Sequence, residues 1–292
     1  MIGRSLALRV SALVAVGMIS AAAVSQAAAQ KHELVKSKDG AAIGYKTTPI
    51  QPWSGYHVHD PDRPIPPRVD PGPAPPPAAA PADAVILFDG KDLARWRDTP
   101  KWTIEDGCLV AGEGTLTTKD EFGDCQLHLE WQAPDPPDPN WGNCGNNGVL
   151  MLGLFEIQIY DSFTKQIYPD GQAASIYAQT PPLVNACRKP GEWQTYDIIF
   201  TAPRFADDGK VLRPAYVTVI HNGICVHNHF ELLGGTFYDR PPQYSKHPEK
   251  QPIHIQYHGN PVKFRNIWVR ELKPIVGKKP EKSSDPSTPG RK

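Results

Sequence analysis

Polar side chains of the kinds that bind sugars and transfer protons alternate with apolar ones in two segments of this chain. In the first segment, residues 155–159 read Phe-Glu-Ile-Gln-Ile. A period of two places Glu156 and Gln158 on one face of a β-strand and the three apolar side chains on the other. Asp161 would join the polar face only if a bulge added one residue before it.

The second segment, residues 253–258, reads Ile-His-Ile-Gln-Tyr-His and places His254, Gln256 and His258 on one face. His258 stands at the end of the predicted strand beside Gly259, where a ligand can approach closely, and an imidazole there is suited to proton transfer. Carboxylate, amide and imidazole groups on one sheet face are typical of a sugar site. The alternative is that each polar face of an antiparallel sheet simply meets water.

Two further groups are candidates for the same site. Glu130 shares a strand face with His128. If the strand of Glu130 neighbours that of Glu156, the two carboxylates can lie roughly 5–9.5 Å apart, which is the separation that glycoside hydrolysis requires. The loop before the strand at Val149 contains Asn147, whose amide could contact a ligand at the rim of the sheet. The alternatives are a surface charge for Glu130 and a purely conformational turn for Asn147.

The two ends of the chain differ in composition from the middle. Residues 1–29 combine two arginines, an apolar run and Ala27-Ala28-Ala29, which predicts a cleaved signal peptide and therefore a periplasmic or secreted protein with no transmembrane segment in the mature chain. Residues 30–81 form a proline-rich segment that predicts an extended arm. The polar composition of residues 274–292 predicts a disordered tail.

Charge and cysteine content exclude some classes of partner and site. The chain has 31 basic and 31 acidic residues without strong clustering, which argues against nucleic acid as a partner. Five cysteines occur without a CxxC pair, and the sequence predicts no metal site and no cofactor. In an exported protein we expect Cys144 and Cys187, which lie in loop-forming segments, to form a disulfide.

The middle of the chain predicts strands far more often than helices. Short alternating runs are separated by turn signals, of which Asp106-Gly107 and Asn222-Gly223 are hairpin signatures. Residues 82–273 therefore predict an all-β fold, an antiparallel β-sandwich or jelly roll.

An ordered set of motifs resembles the 3-keto-disaccharide hydrolase family over roughly residues 84–272. The motifs are Leu87-Phe88-Asp89-Gly90-Lys91-Asp92-Leu93 with Trp96, Trp102-Thr103-Ile104-Glu105-Asp106-Gly107, Leu129-Glu130-Trp131, Asn147-Gly148-Val149, Glu156-Ile157-Gln158-Ile159, Gly191-Glu192-Trp193, His221-Asn222-Gly223, Gln256, His258-Gly259 and Phe264-Arg265-Asn266-Ile267.

The resemblance implies a concanavalin A-like lectin/glucanase jelly roll that hydrolyses glycosides oxidised at C3. It implies functional roles for five residues, which are Glu156, Gln158, Asp161, Gln256 and His258. In the family an acidic residue often precedes the His-Gly pair, where this chain has Tyr257, and an arginine often occupies the position of Met151.

A ketone at C3 acidifies the C2 proton, so a base can start elimination of the C1 substituent, and water then adds to the enone. The site needs a base, an oxyanion donor and an acid. We assign catalysis to Glu156, His258 and Asp161, and substrate binding to the amides of Gln158, Gln256 and Asn147 and to Glu130. The substrate implies a sugar 3-dehydrogenase acting upstream in series.

Two other functions fit the same residues. A sugar-binding module would use the amides and aromatic platforms without a base. A conventional retaining glycosidase would use Glu156 as one of a pair of carboxylates.

Overall fold

The computed structural model describes residues 32–97 and 101–273. The predicted signal peptide and the polar tail lie outside the described residues. In the described part, the secondary structure consists of sixteen β-strands and two 3₁₀ helices of three residues each, with no α-helix. No helix in these ranges is long and apolar enough to span a bilayer. The predicted all-β class is confirmed.

The strands and 3₁₀ helices have the following bounds. The strands are β1 (Leu34–Lys36), β2 (Ile43–Tyr45), β3 (Val85–Phe88), β4 (Thr103–Glu105), β5 (Cys108–Val110), β6 (Leu116–Thr117), β7 (Cys125–Gln132), β8 (Asn147–Met151), β9 (Phe155–Ile159), β10 (Gln194–Thr201), β11 (Arg204–Phe205), β12 (Val211–Arg213), β13 (Tyr216–His221), β14 (Ile224–Glu231), β15 (His254–Tyr257) and β16 (Lys263–Glu271). The 3₁₀ helices are Trp141–Asn143 and Pro169–Gly171.

Two antiparallel sheets form the sandwich. The large sheet has eight strands in the order β14-β13-β10-β7-β16-β5-β4, and β3 also pairs with β16. The small sheet has four strands in the order β6-β15-β8-β9. The pairs β1-β2 and β11-β12 form separate two-stranded sheets.

The two predicted hairpin turns join neighbouring strands. Asp106 and Gly107 connect β4 to β5 with φ values of 51° and 73°, and Asn222 and Gly223 connect β13 to β14 with 54° and 82°. Positive φ at both central residues matches the right-handed twist of the flanking strands, and Asp-Gly and Asn-Gly tolerate it best. Because these two dipeptides favour the conformation of the turn, both hairpins could be predicted from the sequence.

The core lies between the sheets and follows the period-two pattern. From β7 of the large sheet, Leu127, Leu129 and Trp131 are buried, and β9 of the small sheet buries its alternate residues against them. The rings of Phe155 and Phe200 lie 5.7 Å apart across the two layers. The side chains of Glu156 and Gln158 must therefore lie on the outer face of the small sheet.

The proline-rich segment packs along the sandwich instead of projecting from it as an extended arm. It begins with the β1–β2 hairpin, and residues 32–81 belong to the same compact unit as the sandwich. Ile43 forms a parallel bridge with Ile167, and Arg68 forms another with Asn185. Further along, the backbone of Ala78 accepts a hydrogen bond from Asn266 of β16 (3.0 Å). The backbone of this segment forms little regular pairing within itself, so contacts with the rest of the fold determine its path.

Candidate active site

One row of the outer face of the small sheet carries two glutamine amides. Gln256 of β15 pairs in register with Gly148 of β8, which pairs with Gln158 of β9. Paired residues in an antiparallel sheet share a face, and neighbouring strands lie about 4.8 Å apart. The side chains of Gln158 and Gln256 therefore lie roughly 10 Å apart, on either side of Gly148. The prediction that they share a face is confirmed.

The next row contains an imidazole and a carboxyl. His254 pairs with Leu150, which pairs with Glu156. Burial lowers the pKa of His254, and the charge of Arg97 lowers it further, so the ring is neutral at neutral pH. Room for this ring comes from Gly153, where a Cβ would lie 2.6 Å from His254 Cε1.

The carboxyl of Glu156 bends across the sheet toward the amide row. A Cβ at Gly148 would lie 2.9 Å from Glu156 Cδ and would overlap Oε1. The carboxyl thus occupies the space above a residue that has no side chain. Glu156 is 7% exposed, and this burial raises its pKa to about 8. At neutral pH Glu156 is accordingly a protonated acid that can donate a hydrogen bond or a proton.

His258 is linked to the amide row through Asn146. Asn146 Nδ2 donates to Gly142 O (2.9 Å) and to His258 Nδ1 (3.3 Å). Gln158 Nε2 in turn donates to Asn146 Oδ1 (3.4 Å). His258 is exposed at the end of β15, so it reaches solvent and the amide row together.

Asn147 lies on the opposite face from the one we expected. It pairs with Ile159, so its side chain points to the core side together with Val149 and is fully buried. Its Nδ2 bonds to the carbonyl of Asn146, and its Oδ1 has no partner. The buried alternation of Val149 and Met151 in the sequence was the signal that assigns Asn146, and not Asn147, to the outer face.

Glu130 also lies away from the small-sheet face. Its neighbours Leu129 and Trp131 on β7 fill the core, so Glu130 points out of the large sheet, on the opposite side of the sandwich. Arg265 Nε donates to Glu130 Oε2 (2.7 Å), and Asn266 Nδ2 donates to Oε1 (2.9 Å). The prediction that Glu130 and Glu156 share one face is wrong, because period-two alternation cannot show which of two sheets a strand enters.

Asp161 lies beyond the end of β9 and organises a turn. Its Oδ1 accepts the backbone N–H groups of Phe163 and Thr164, both at 3.1 Å. Cys144 Sγ lies 3.5 Å from Oδ2. A carboxylate engaged on its own backbone does not join the row of Glu156.

Cys144 and Cys187 are both free thiols, so the expected disulfide is not formed. Cys144 Sγ is directed at Asp161, and Cys187 Sγ at the carbonyl of Tyr160 (3.9 Å). Burial raises the pKa of each thiol to about 12, which keeps both protonated.

The family departures at Met151 and Tyr257 fall on the core side of the small sheet. Met151 is 1% exposed and pairs with Phe155, and Tyr257 pairs with Asn147 and packs against the core. Neither departure removes a side chain from the outer face.

A fifth strand-like segment extends the site beyond β9. Tyr177 N donates to Glu156 O (3.2 Å), and Ala174 N donates to Gln158 O (2.9 Å). Ile176 bridges to Ile157, so Tyr177 stands next to Glu156 on the outer face. No pattern in the sequence indicated this wall of the site.

The proline-rich segment holds that wall through a buried His–Asp pair. His59 N donates to Asp170 Oδ2 (3.1 Å), and His59 Nδ1 lies 3.3 Å from Asp170 Oδ1. The His59 ring lies 4.0 Å from the Tyr168 ring and 4.8 Å from the Tyr177 ring. Burial raises the pKa of Asp170, but His59 and Arg63 reverse this and leave the pKa below its usual value.

Further hydrogen bonds tie the same segment to the loop after Tyr177. Gln51 Nε2 donates to Ala178 O (2.6 Å), while Trp53 Nε1 donates to Gln179 O (3.0 Å). No local signal links these residues, because well over one hundred positions separate them in the sequence. Within residues 32–97 and 101–273, no group of three or more His, Cys, Asp or Glu is arranged to hold a metal ion.

Comparison with known proteins identifies the family. A family profile described as the 3-keto-α-glucoside-1,2-lyase-like domain matches residues 83–270. The chain is 26% identical over 249 residues to the 3-keto-disaccharide hydrolase of Bacteroides thetaiotaomicron, in an alignment that covers 66% of this chain and 80% of that protein. A crystal structure of a candidate glycosyl hydrolase from Parabacteroides distasonis matches with a TM-score of 0.64 and 42% identity, covering 69% of this chain and 93% of that one. Since the profile spans more than half of the chain, the protein belongs to the 3-keto-α-glucoside-1,2-lyase-like family and is an enzyme of the glycoside hydrolase class.

Proposed function

We propose that the protein cleaves the glycosidic bond of 3-keto-glycosides, including 3-keto-disaccharides, by elimination followed by hydration. The observation that carries this proposal is the buried carboxyl of Glu156, which lies over Gly148 between the amides of Gln158 and Gln256. The name of the Bacteroides relative supports the substrate class.

The elimination step uses a base and an acid on the same face. The imidazole of His258 or His254 takes the C2 proton, and the amides of Gln158 and Gln256 donate to the enolate oxygen at C3. The C2 electron pair then forms the C1–C2 double bond as the C1–O bond breaks. The departing oxygen takes the proton of Glu156.

Hydration returns the enzyme to its starting state. Water adds to C1 of the enone, its second proton goes to the Glu156 carboxylate, and C2 recovers a proton from the imidazolium. The sum is one glycosidic bond hydrolysed and no net change in the protein.

A retaining glycosidase mechanism is less well supported by this face. It requires two carboxylates about 5–5.5 Å apart. Among the outward-facing strand residues described in the small sheet, Glu156 is the one carboxylate, since Asp161 lies in a turn and Glu130 in the other sheet.

The biological setting follows from the same chemistry. The predicted signal peptide places the enzyme in the periplasm or outside the cell. A substrate oxidised at C3 must be supplied by a sugar 3-dehydrogenase, which would act before this enzyme.

The test compares 3-keto-trehalose with trehalose and follows aglycone release and C2 deuterium uptake in D₂O. We expect cleavage of the oxidised sugar alone. Glu156→Gln should still exchange the C2 proton but release little aglycone, with a loss on the order of 10²–10⁴ in rate. Loss of the true base, by His258→Ala or His254→Ala, should stop both processes.

His229→Ala, which alters an exposed histidine of the large sheet, is the matched control and should keep the wild-type rate. Equal cleavage of trehalose would instead support a conventional glycosidase. Tight binding of both sugars without turnover would support a sugar-binding module.

A further inference from the structure

An apolar cavity of about 100 Å³ lies at the end of the small sheet opposite His258. Its walls come from the β8–β9 turn on one side and from residues 235–247 on the other. The apolar lining residues are Leu150, Leu154, Phe155, Phe237 and Tyr244. The proposed reaction does not use this cavity.

The cavity adjoins Glu156 through two of its lining residues. Leu150 lies on the outer face between His254 and Glu156, in register with both. Thr236 Oγ1 accepts the backbone N–H of Glu156 (3.0 Å), and Thr236 N donates to Leu154 O (2.8 Å). Leu150 follows Gly148 by two residues of β8, so the cavity begins about 7 Å along the strand from the position of the Glu156 carboxyl.

One polar atom in the lining has no partner. His247 Nδ1 donates to Pro248 O (2.7 Å), but its buried Nε2 makes no hydrogen bond. The ring stands edge-on to Phe155, with centroids 6.1 Å apart. The His247 ring thus adds to the largely apolar wall of the cavity.

We propose that this cavity is the aglycone subsite, and that it binds the apolar part of a 3-keto-glycoside aglycone such as an alkyl chain or a ring. The inference rests on the proposed function, which places the breaking C1–O bond at Glu156. The oxidised sugar then lies on the amide row, and the aglycone passes over Leu150 into the cavity. The substrate is accordingly polar at one end and apolar at the other.

The size of the cavity sets the expected preference. A volume of about 100 Å³ holds roughly three groups the size of a water molecule. Each buried methylene strengthens binding by about fourfold. An aglycone that fills the cavity should therefore be preferred over methyl by up to about 60-fold in kcat/KM.

The experiment measures kcat/KM for methyl, butyl and hexyl 3-keto-glucosides with the full chain. We expect hexyl to exceed methyl by at least about tenfold in the wild type. At Gly235, a Cβ would meet only Gln243 O at 3.7 Å and Leu154 O at 3.8 Å, so Gly235→Leu can fill the cavity without overlap at its Cβ. This variant should lose the preference for hexyl over methyl 3-keto-glucoside, whatever its absolute rate with the methyl substrate.

Leu183→Ala, which removes an exposed leucine outside the cavity, is the control and should keep the preference. Calorimetric titration of methyl and hexyl 3-keto-glucosides into Glu156→Gln repeats the comparison without turnover. Equal affinity for the two substrates, or a preference that survives Gly235→Leu, overturns the aglycone subsite. A wild type that binds hexyl tightly but cleaves none of the three overturns the proposed function and keeps the subsite.

Discussion

The carboxyl of Glu156 occupies the space above Gly148, on the neighbouring strand of the small sheet. A Cβ at position 148 would lie 2.9 Å from Glu156 Cδ and 3.0 Å from Cγ. The glycine therefore determines where the Glu156 carboxyl lies, although it carries no chemistry itself.

Gly148→Ala should separate activity from stability. The added methyl meets the far end of a flexible side chain, so the strand can stay in place while the carboxyl moves. We expect turnover of 3-keto-trehalose to fall on the order of 10²-fold or more, with a thermal midpoint near that of the wild type. Gly142→Ala is the matched control, because its Cβ would meet only Asn140 Oδ1 at 3.5 Å. Similar activities for the two variants would contradict this role of Gly148.

The pH dependence of stability should reveal the protonated Glu156. Burial raises its pKa from 4.5 to about 8 in the folded state. Between these values the folded state binds more protons than the unfolded state, so this group lowers the free energy of unfolding as pH rises, by at most about 1.4 kcal/mol per pH unit. Urea unfolding from pH 5 to 8 should show this slope in the wild type but not in Glu156→Gln. Parallel curves would contradict the raised pKa.

His128, on the outer face of the large sheet, should produce a loss of stability at higher pH. Burial alone would lower its pKa, but a hydrogen bond with Asp197 (2.9 Å) and the carboxylate of Glu130, 3.9 Å away, raise it to about 9. Because the folded pKa exceeds the unfolded value of 6.5, the stabilisation is complete below about pH 6.5 and is lost as pH rises through 9. His128→Gln should therefore be destabilised by up to about 3 kcal/mol at pH 6 and little at pH 10. A pH-independent difference would show that the ring acts through packing instead of charge.

His59 should be required for the wall beside Glu156. His59→Ala removes a buried ring that contacts Tyr177 and leaves Asp170 with fewer partners. We expect the free energy of unfolding to fall by about 2–5 kcal/mol, and turnover to fall in the fraction that stays folded. His57→Ala is the control on the same segment, since the half-buried His57 ring bonds the carbonyl of Thr48 instead. Equal losses for both histidines would contradict a specific role for His59.

Local pattern was sufficient to predict which side chains share the outer face of the small sheet. Alternation in β9 and β15 assigned Glu156, Gln158, His254 and Gln256 to one face, because successive side chains in a strand point in opposite directions. The Asp106-Gly107 turn was equally readable, since its conformation depends on its own two residues. The catalytic roles of these residues stay predictions.

Residues that depend on the assembly of distant segments could not be placed from the sequence. Glu130 follows the same alternation as Glu156, yet it belongs to the other sheet, and strand order decides that. His59 meets Asp170 from 111 positions away. The proton on Glu156 depends on burial by groups brought together from several segments, because only a packed surface removes the water that would stabilise its charge. The sequence by itself determined which side chains of a strand share a face. The tertiary structure decided which strand faces lie together and which ionisable groups stay charged, because both depend on contacts between distant segments.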